Sequence, residues 1–312
     1  MLVVHRQTEK LFDSKVARLS EYLHRGDVLV LNNSKRLPGV LYGRTQRERA
    51  QVEIRLVRLN DNFDAFARVF PKHFVKEGTS IILEDENVLF VEEIDIPPYG
   101  LSRVRSSKAN LSTLLTSFGK PITSFFYSDY FQIEHYNPFY AAEAKSIESP
   151  MAGLHLTPEL LSTLQAQGVH IAYVTLHCAG SWLPFLEDEI ANHETYAEDF
   201  AVSESTACII NEARRNGGRV FACGSTVVKA LESASAEEGA IVAQTGSTNL
   251  YITPGFNFRV VDCYLTNFHP SGSSLMVLDA SFCGKDLLLE AYNTARSGGF
   301  LFYEFGDAIL YV

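Results

Sequence analysis

The segment FRVVDCYLTNFHPSGSSLMVLDASF, residues 258–282, decides the fold class. It opens with an apolar, β-branched run, FRVVDCYLT (258–266), which reads as a buried strand. It closes with SLMVLDASF (274–282), which reads as a helix. Between them sit Asn267, His269, Pro270, Gly272, Ser273 and Ser274. A connector needs only glycine, proline and a cap. The extra amide, imidazole and hydroxyls mark the turn between strand and helix as one wall of a pocket.

Working outward, the same strand–helix rhythm fills the chain from about residue 150. PELLSTLQAQG (158–168), SESTACIINEARRN (203–216), STVVKALES (225–233) and KDLLLEAYNTARSGG (285–299) read as helices. HIAYVTLH (170–177), RVFAC (219–223), NLYIT (249–253) and DAILYV (307–312) read as strands. Such alternation predicts an α/β domain with a mixed, mostly parallel sheet covered by helices. Residues 27–106 differ. DVLVL (27–31), QVEIRLV (51–57), FDAFARV (63–69), SIILED (80–85) and NVLFVEEI (87–94) are short, alternating and closely spaced, the pattern of an antiparallel barrel or sandwich. LSTLLTSF (111–118) reads as a short helix. The aromatic-rich stretch that follows, to residue 149, reads as a loop-rich return and candidate lid.

The bulk properties bound the function. The 312 residues are 46% hydrophobic and 21% charged, with a net charge of −10. That balance argues against a general, charge-driven nucleic-acid binder, because neutralising phosphates takes lysine and arginine. A local basic groove remains compatible with it. The opening MLVVHRQTEK does not read as a signal peptide, and no apolar run reaches membrane-spanning length. The cytoplasm is therefore the expected location. The five cysteines, at 178, 208, 223, 263 and 283, form no C-x-x-C pair and read as reduced, buried thiols.

In open α/β sheets the ligand crevice lies at the carboxyl ends of the strands. The polar residues gather there. His177 ends one strand and precedes Ala179-Gly180-Ser181. Gly224-Ser225-Thr226 links another to its helix. Asn267 and His269 precede Ser273, and Met151 to His155 precedes a helix. Free N–H groups at helix starts suit an anion. Two other chemistries fit less well. His155, His177, His193 and His269 match no H-x-x-x-H or H-E-x-x-H spacing, so no metal is expected. Neither Ser181 nor Ser225 sits in a G-x-S-x-G elbow. Asp307, at the start of the last strand, is a turn residue or a carboxylate facing the crevice.

Taken in order, these pieces resemble the S-adenosylmethionine:tRNA ribosyltransferase-isomerase family of queuosine biosynthesis. Gly26 to Lys35 (GDVLVLNNSK) resembles G-D-L-L-V-x-N-[DN]-[ST], and Pro150 to His155 resembles P-T-A-G-L-H. Thr175-Leu176-His177 with Gly180, Ser181 and Pro184 resembles T-L-H-V-G-x-G-T-F-x-P. His193 and Glu198 fall on H-x-M-H-x-E. Gly224-Ser225-Thr226 through Leu231-Glu232-Ser233 resembles G-T-T-x-x-R-x-L-E-S. Pro254-Gly255-Phe256, Thr266 to His269 with Ser273, and Phe302 with Gly306-Asp307-Ala308 resemble P-G-[YF], T-N-F-H-L-P-x-S and Y-R-F-x-S-Y-G-D-A.

The resemblance implies an α/β domain (residues 1–45 and 146–312) carrying an inserted antiparallel β-barrel domain (46–145). It implies transfer of the ribosyl part of S-adenosylmethionine to the aminomethyl group of a 7-deazaguanine in tRNA, with isomerisation to an epoxycyclopentane and loss of adenine and methionine. S-adenosylmethionine is then a substrate, and no metal is implied. A base must take a C5′ proton acidified by the sulfonium, and an acid must help adenine leave; imidazoles and carboxylates suit both steps. By family position, His155, His177, His193, Glu198, His269 and Asp307 form the acid–base set. Ser181, Gly224, Ser225, Thr226, Asn267 and Ser273 hold S-adenosylmethionine.

The departures are also specific. KPITSFFYSDY (120–130) stands in place of L-P-P-Y-I-x-R. Tyr196 replaces the second histidine of H-x-M-H-x-E, and family arginines are replaced by Val40, Lys229 and Leu301. Lysine gives a point charge where arginine gives a fork, and valine or leucine gives none. These changes bear on the acceptor more than on the pocket. They motivate an alternative, an enzyme of the same fold acting on S-adenosylmethionine with a small-molecule acceptor. A non-catalytic sensor of S-adenosylmethionine or a nucleoside is a third reading. If tRNA is the acceptor, Arg44, Arg47, Arg49, Arg55, Arg58 and Lys72 are the expected basic strip.

Overall fold

A computed structural model describes residues 1–84, 86–123, 131–180 and 190–312. β1 (Leu2–His5) and β2 (Lys10–Asp13) form a hairpin, followed by β3 (Val28–Asn32) and the short β4 (Ser34–Arg36). Six strands follow: β5 (Val40–Thr45), β6 (Gln51–Leu59), β7 (Asp64–Phe70), β8 (Ser80–Leu83), β9 (Val88–Ile96) and β10 (Leu101–Ser106). α1 (Leu111–Phe118) and β11 (Glu143–Ser146) return the chain to the first unit. The alternating half runs α2 (Pro158–Ala166), β12 (His170–Leu176), β13 (Glu198–Val202), α3 (Glu204–Arg215), β14 (Val220–Cys223), α4 (Ser225–Ser233), β15 (Gln244–Thr248), β16 (Cys263–Asn267), α5 (Ser274–Cys283), α6 (Lys285–Ser297) and β17 (Ala308–Tyr311).

One nine-stranded sheet has the order β15-β13-β12-β3-β14-β16-β17-β1-β2. Its centre, β12-β3-β14-β16, is parallel, and antiparallel pairs flank it on both sides. β3 shows why the sheet is central. Val28 and Val30 face a core shared with α3, α4 and α6. Leu29 and Leu31 face the opposite core, with α2 and Leu19. Covered on both faces, the strand must be apolar throughout. The helices start where the sequence supplies caps. Thr157, Ser203 and Ser273 accept from the backbone N–H of Leu160, Thr206 and Met276.

The other six strands close into a barrel in the order β10-β7-β6-β5-β8-β9. The sequence left barrel and sandwich open; closure leaves no free edge. Inward residues such as Leu41, Ile54, Ala67, Ile81, Leu89 and Val104 fill it. The barrel begins at Val40, ahead of the expected boundary at 45/46. β4 and β11, which carry the chain out and back, lie side by side, with Glu143 opposite Ser34.

Two strand readings fail for identifiable reasons. The segment 258–262 is not ladder, because the N–H groups of Arg259, Val260 and Val261 donate to the buried Glu232 carboxylate instead. NLYIT is not a strand either. Leu250 N–H donates to Thr248 Oγ1, and the chain turns away from β15. Cys178, Cys223 and Cys263 are buried, but Cys208 is exposed, and all five thiols are free. Among the described residues no helix is long and apolar enough to cross a membrane.

Candidate active site

The carboxyl ends of the four parallel strands lie in a row, and Asn32 at the end of β3 organises it. Its amide Nδ2 donates to Leu176 O (2.9 Å) and to Thr226 Oγ1 (3.0 Å). Its Oδ1 accepts from the N–H groups of Ser34 and Leu176, each at 3.0 Å. A fully satisfied buried amide of this kind fixes the geometry around it. It holds β3, β12 and the first turn of α4 in register. The sequence reading quoted Asn32 only as part of a motif.

Beside this amide opens a cleft with about 910 Å³ of empty space, open to solvent. Of the expected site residues, His193, Glu198, Ser225 and Thr226 line it. Gly224 sits behind them with φ +99°, a left-handed value that glycine adopts without strain. Gly224 is the N-cap of α4 and offers no side chain, so the first turn carries no side-chain cap. Ser225 and Thr226 are therefore first-turn residues turned to the cleft, not caps.

Glu198 Oε1 accepts from Ala179 N–H at 2.8 Å, and Oε2 accepts from Lys229 Nζ at 2.8 Å. Both side chains are 13% exposed. Lys229, read from sequence only as a lost arginine, thus supplies a cation in the cleft. Glu148, Glu194 and Glu198 outnumber it. Tyr99 from the barrel, Tyr196 and Tyr251 form aromatic walls. No local motif announces Tyr99, Glu148 or Tyr251, because they arrive from three distant segments.

His177 lines a small adjoining cavity with Arg58, Lys145 and Asp199. Its Nδ1 lies 2.8 Å from Ser34 Oγ, which lies 2.5 Å from Ser146 Oγ. Burial, then the Lys145 ammonium, push the imidazole down to about 4, against the pull of Asp199. Asp199 bonds Lys145 at 2.6 Å and Arg58 at 2.9 Å. Burial alone would raise its pKa, but these two cations outweigh burial and lower it.

The remaining expected residues lie elsewhere. His155, Asn267 and Asp307 gather at the β16 end of the row. Burial lowers the His155 pKa, while Asn267 and Asp307 pull it back. His155 Nε2 and Asn267 Oδ1 are buried with no hydrogen-bond partner of good geometry among the described residues. Asp307 accepts from Leu301 N–H at 2.8 Å. His269 turns into the core, with Nδ1 2.8 Å from Asp279 Oδ2 and Nε2 3.3 Å from Thr266 Oγ1. Ser273 is occupied in capping α5 and in donating to Pro270 O. Ser181 lies outside the described residues. Among the described residues no three His, Cys, Asp or Glu side chains are placed to hold a metal ion.

A sheet with a cleft at its strand ends, joined to a barrel that adds a wall to that cleft, defines a two-part α/β–barrel protein with a composite ligand site. The chain belongs to the queuosine biosynthesis protein family, which it matches over residues 1–311. It is 34% identical over 313 residues to the S-adenosylmethionine:tRNA ribosyltransferase-isomerase of Natranaerobius thermophilus, covering 99% of this chain and 91% of that one. It is 35% identical over 321 residues to the protein of the same name from Syntrophomonas wolfei, covering 100% and 90%. The crystal structure of S-adenosylmethionine tRNA ribosyltransferase from Thermotoga maritima matches with TM-score 0.53 and 29% identity, covering 100% of this chain and 91% of that one.

Proposed function

We propose that the chain is an S-adenosylmethionine:tRNA ribosyltransferase-isomerase, acting on a 7-aminomethyl-7-deazaguanine in tRNA. The observation that carries this reading is the composition of the cleft. Three carboxylates, one ammonium and three tyrosines line it. S-adenosylmethionine presents a sulfonium, an ammonium and a carboxylate, and cations favour both carboxylates and aromatic faces. Lys229 and the uncapped first turn of α4 would take the methionine carboxylate. Glu148 and Glu194 would face the cationic end. Glu198, with both oxygens engaged, positions Lys229. His193 lies in the cleft itself and is the preferred base for the C5′ proton. His177, neutral at pH 7, is a hydrogen-bonding neighbour. We place His155, Asn267 and Asp307 at the edge of the same site, and His269 and Ser273 in its support. The division into an α/β domain and an inserted barrel, and a cytoplasmic location, belong to the same proposal.

A second reading, a small-molecule acceptor, is favoured by the barrel charges. Arg55 pairs with Glu53, Arg58 with Asp199 and Lys72 with Asp95. Only Arg44, Arg47 and Arg49 of the expected strip stay exposed without an ion pair among the described residues. Mass spectrometry of adenine and methionine release, with and without precursor-bearing tRNA, separates the two. Release that depends on that tRNA supports the first reading. Bound S-adenosylmethionine without tRNA-dependent release supports the second.

A further inference from the structure

Tyr99 and Tyr196 come from different units and meet in the cleft. Tyr99 lies on the turn between β9 and β10 of the barrel, and Tyr196 lies just ahead of β13. Their rings are 5.3 Å apart and tilted by 37°. Behind them Val57, Phe66, Ile96 and Leu101 pack as one apolar cluster on the barrel. The pair is thus a backed aromatic shelf, not two loose surface side chains. It also has a polar feature that its packing does not use. Tyr196 Oη is buried and makes no hydrogen bond among the described residues. Buried hydroxyls nearly always find partners. Burial, then the neighbouring Tyr99, push this phenol well above the usual range, so it stays protonated and able to donate.

An aromatic shelf with a buried, unused hydroxyl has a defined chemical complement. A flat π-system gains from stacking on it, and a ring nitrogen or carbonyl at that system's edge completes the hydroxyl. Aliphatic ligands satisfy only half of this. The Glu198–Lys229 pair and the α4 first turn already provide for charged groups elsewhere in the cleft.

We infer that Tyr99 and Tyr196 are the seat for a planar, purine-like heterocycle, and that Tyr196 Oη bonds its polar edge. The inference deepens the proposed function and rests on it for the choice of ligands. Two heterocycles share this chemistry, the adenine of S-adenosylmethionine and the 7-deazaguanine acceptor. The seat is composite, since one tyrosine belongs to the barrel and the other to the sheet unit. Binding of the heterocycle therefore depends on the barrel being docked.

The test is direct binding by calorimetry to the full-length protein, with S-adenosylmethionine and with free 7-aminomethyl-7-deazaguanine as separate probes. Tyr99→Leu removes the stacking face and is expected to weaken one probe by roughly 5- to 100-fold. Tyr99→Trp keeps a face and should stay within about threefold of the native protein. Tyr196→Phe keeps the ring and its packing, so folding is preserved. It should cost the same probe about 3- to 10-fold through the lost hydrogen bond. Loss confined to S-adenosylmethionine assigns the seat to adenine, and loss confined to the free base assigns it to the acceptor. The inference is overturned if the native protein binds neither probe, or if all three variants bind both within about twofold of it. Because binding is read without turnover, a protein that binds a heterocycle here yet releases no adenine with tRNA sinks only the transferase reading.

Discussion

At the β12 end of the strand row, His177 meets the Ser34 hydroxyl and opens on a cavity beside the cleft. At the β16 end, His269 sits in an equivalent position along the chain, just past the strand, yet turns inward to Asp279. Asp279 is completely buried, and Tyr292 Oη reaches the same carboxylate oxygen at 3.2 Å. The difference is the group each ring meets. α5 offers the Asp279 carboxylate to His269, whereas His177 meets the neutral Ser34 hydroxyl of β4 beside a cavity. A histidine just past a strand thus faces a cavity or the core according to the partner the fold brings to it.

The largest expected effect breaks the sealed end. His269→Leu leaves the Asp279 carboxylate buried without its imidazole, which should cost about 3–5 kcal/mol in urea unfolding. A loss below about 1 kcal/mol would mean that the two ends are not so different. Next comes pH. The folded pKa of His177, about 4, lies below the unfolded value near 6.5. The unfolded chain therefore takes up its proton first, and stability is lost as pH falls from about 6.5 towards 4, by up to about 3 kcal/mol. His155 shifts in the same direction and adds to the slope. Asp199, lowered, loses its contribution only below about 3.8, outside this window. His177→Asn should flatten the profile between pH 6.5 and 4, and an unchanged slope would refute the assignment.

At the open end, Lys229→Met strips one partner from a close, largely buried pair. S-adenosylmethionine affinity should fall by roughly 30-fold or more, as read by calorimetry, while Lys229→Arg should restore most of it. Smaller still is the tie between barrel and sheet. Arg58→Ala leaves Asp199 with Lys145 and should cost about 1 kcal/mol in thermal unfolding. Arg55→Ala, which breaks an exposed barrel pair, should stay within about 0.5 kcal/mol. Equal losses for both would show that the Arg58 contact is only surface decoration.

The sequence carried the strands with clean alternation, such as QVEIRLV and FDAFARV, because one face of each meets the barrel core. It hid Val40–Thr45 and Leu101–Ser106, where glycine, arginine and serine interrupt the pattern. It hid Glu198–Val202, whose first two residues are acids. At the site, the family resemblance led to His193, Glu198, Ser225 and Thr226, four residues that do line the cleft. It gave no sign that His269 turns inward, since Asp279 looks like any helical aspartate. Nor did it reveal Asn32, Tyr99 or Glu148 as companions, because only the fold brings those segments together.

The strands that carry the chain out to the barrel and back lie side by side, and Ser34 and Ser146 touch across them. The first of them, Ser34 Oγ, also lies 2.8 Å from His177 Nδ1. The strand that carries the chain out to the barrel thus also bears the hydroxyl that meets the His177 ring. A shift of the barrel relative to the sheet would therefore be felt at that imidazole through a single hydroxyl.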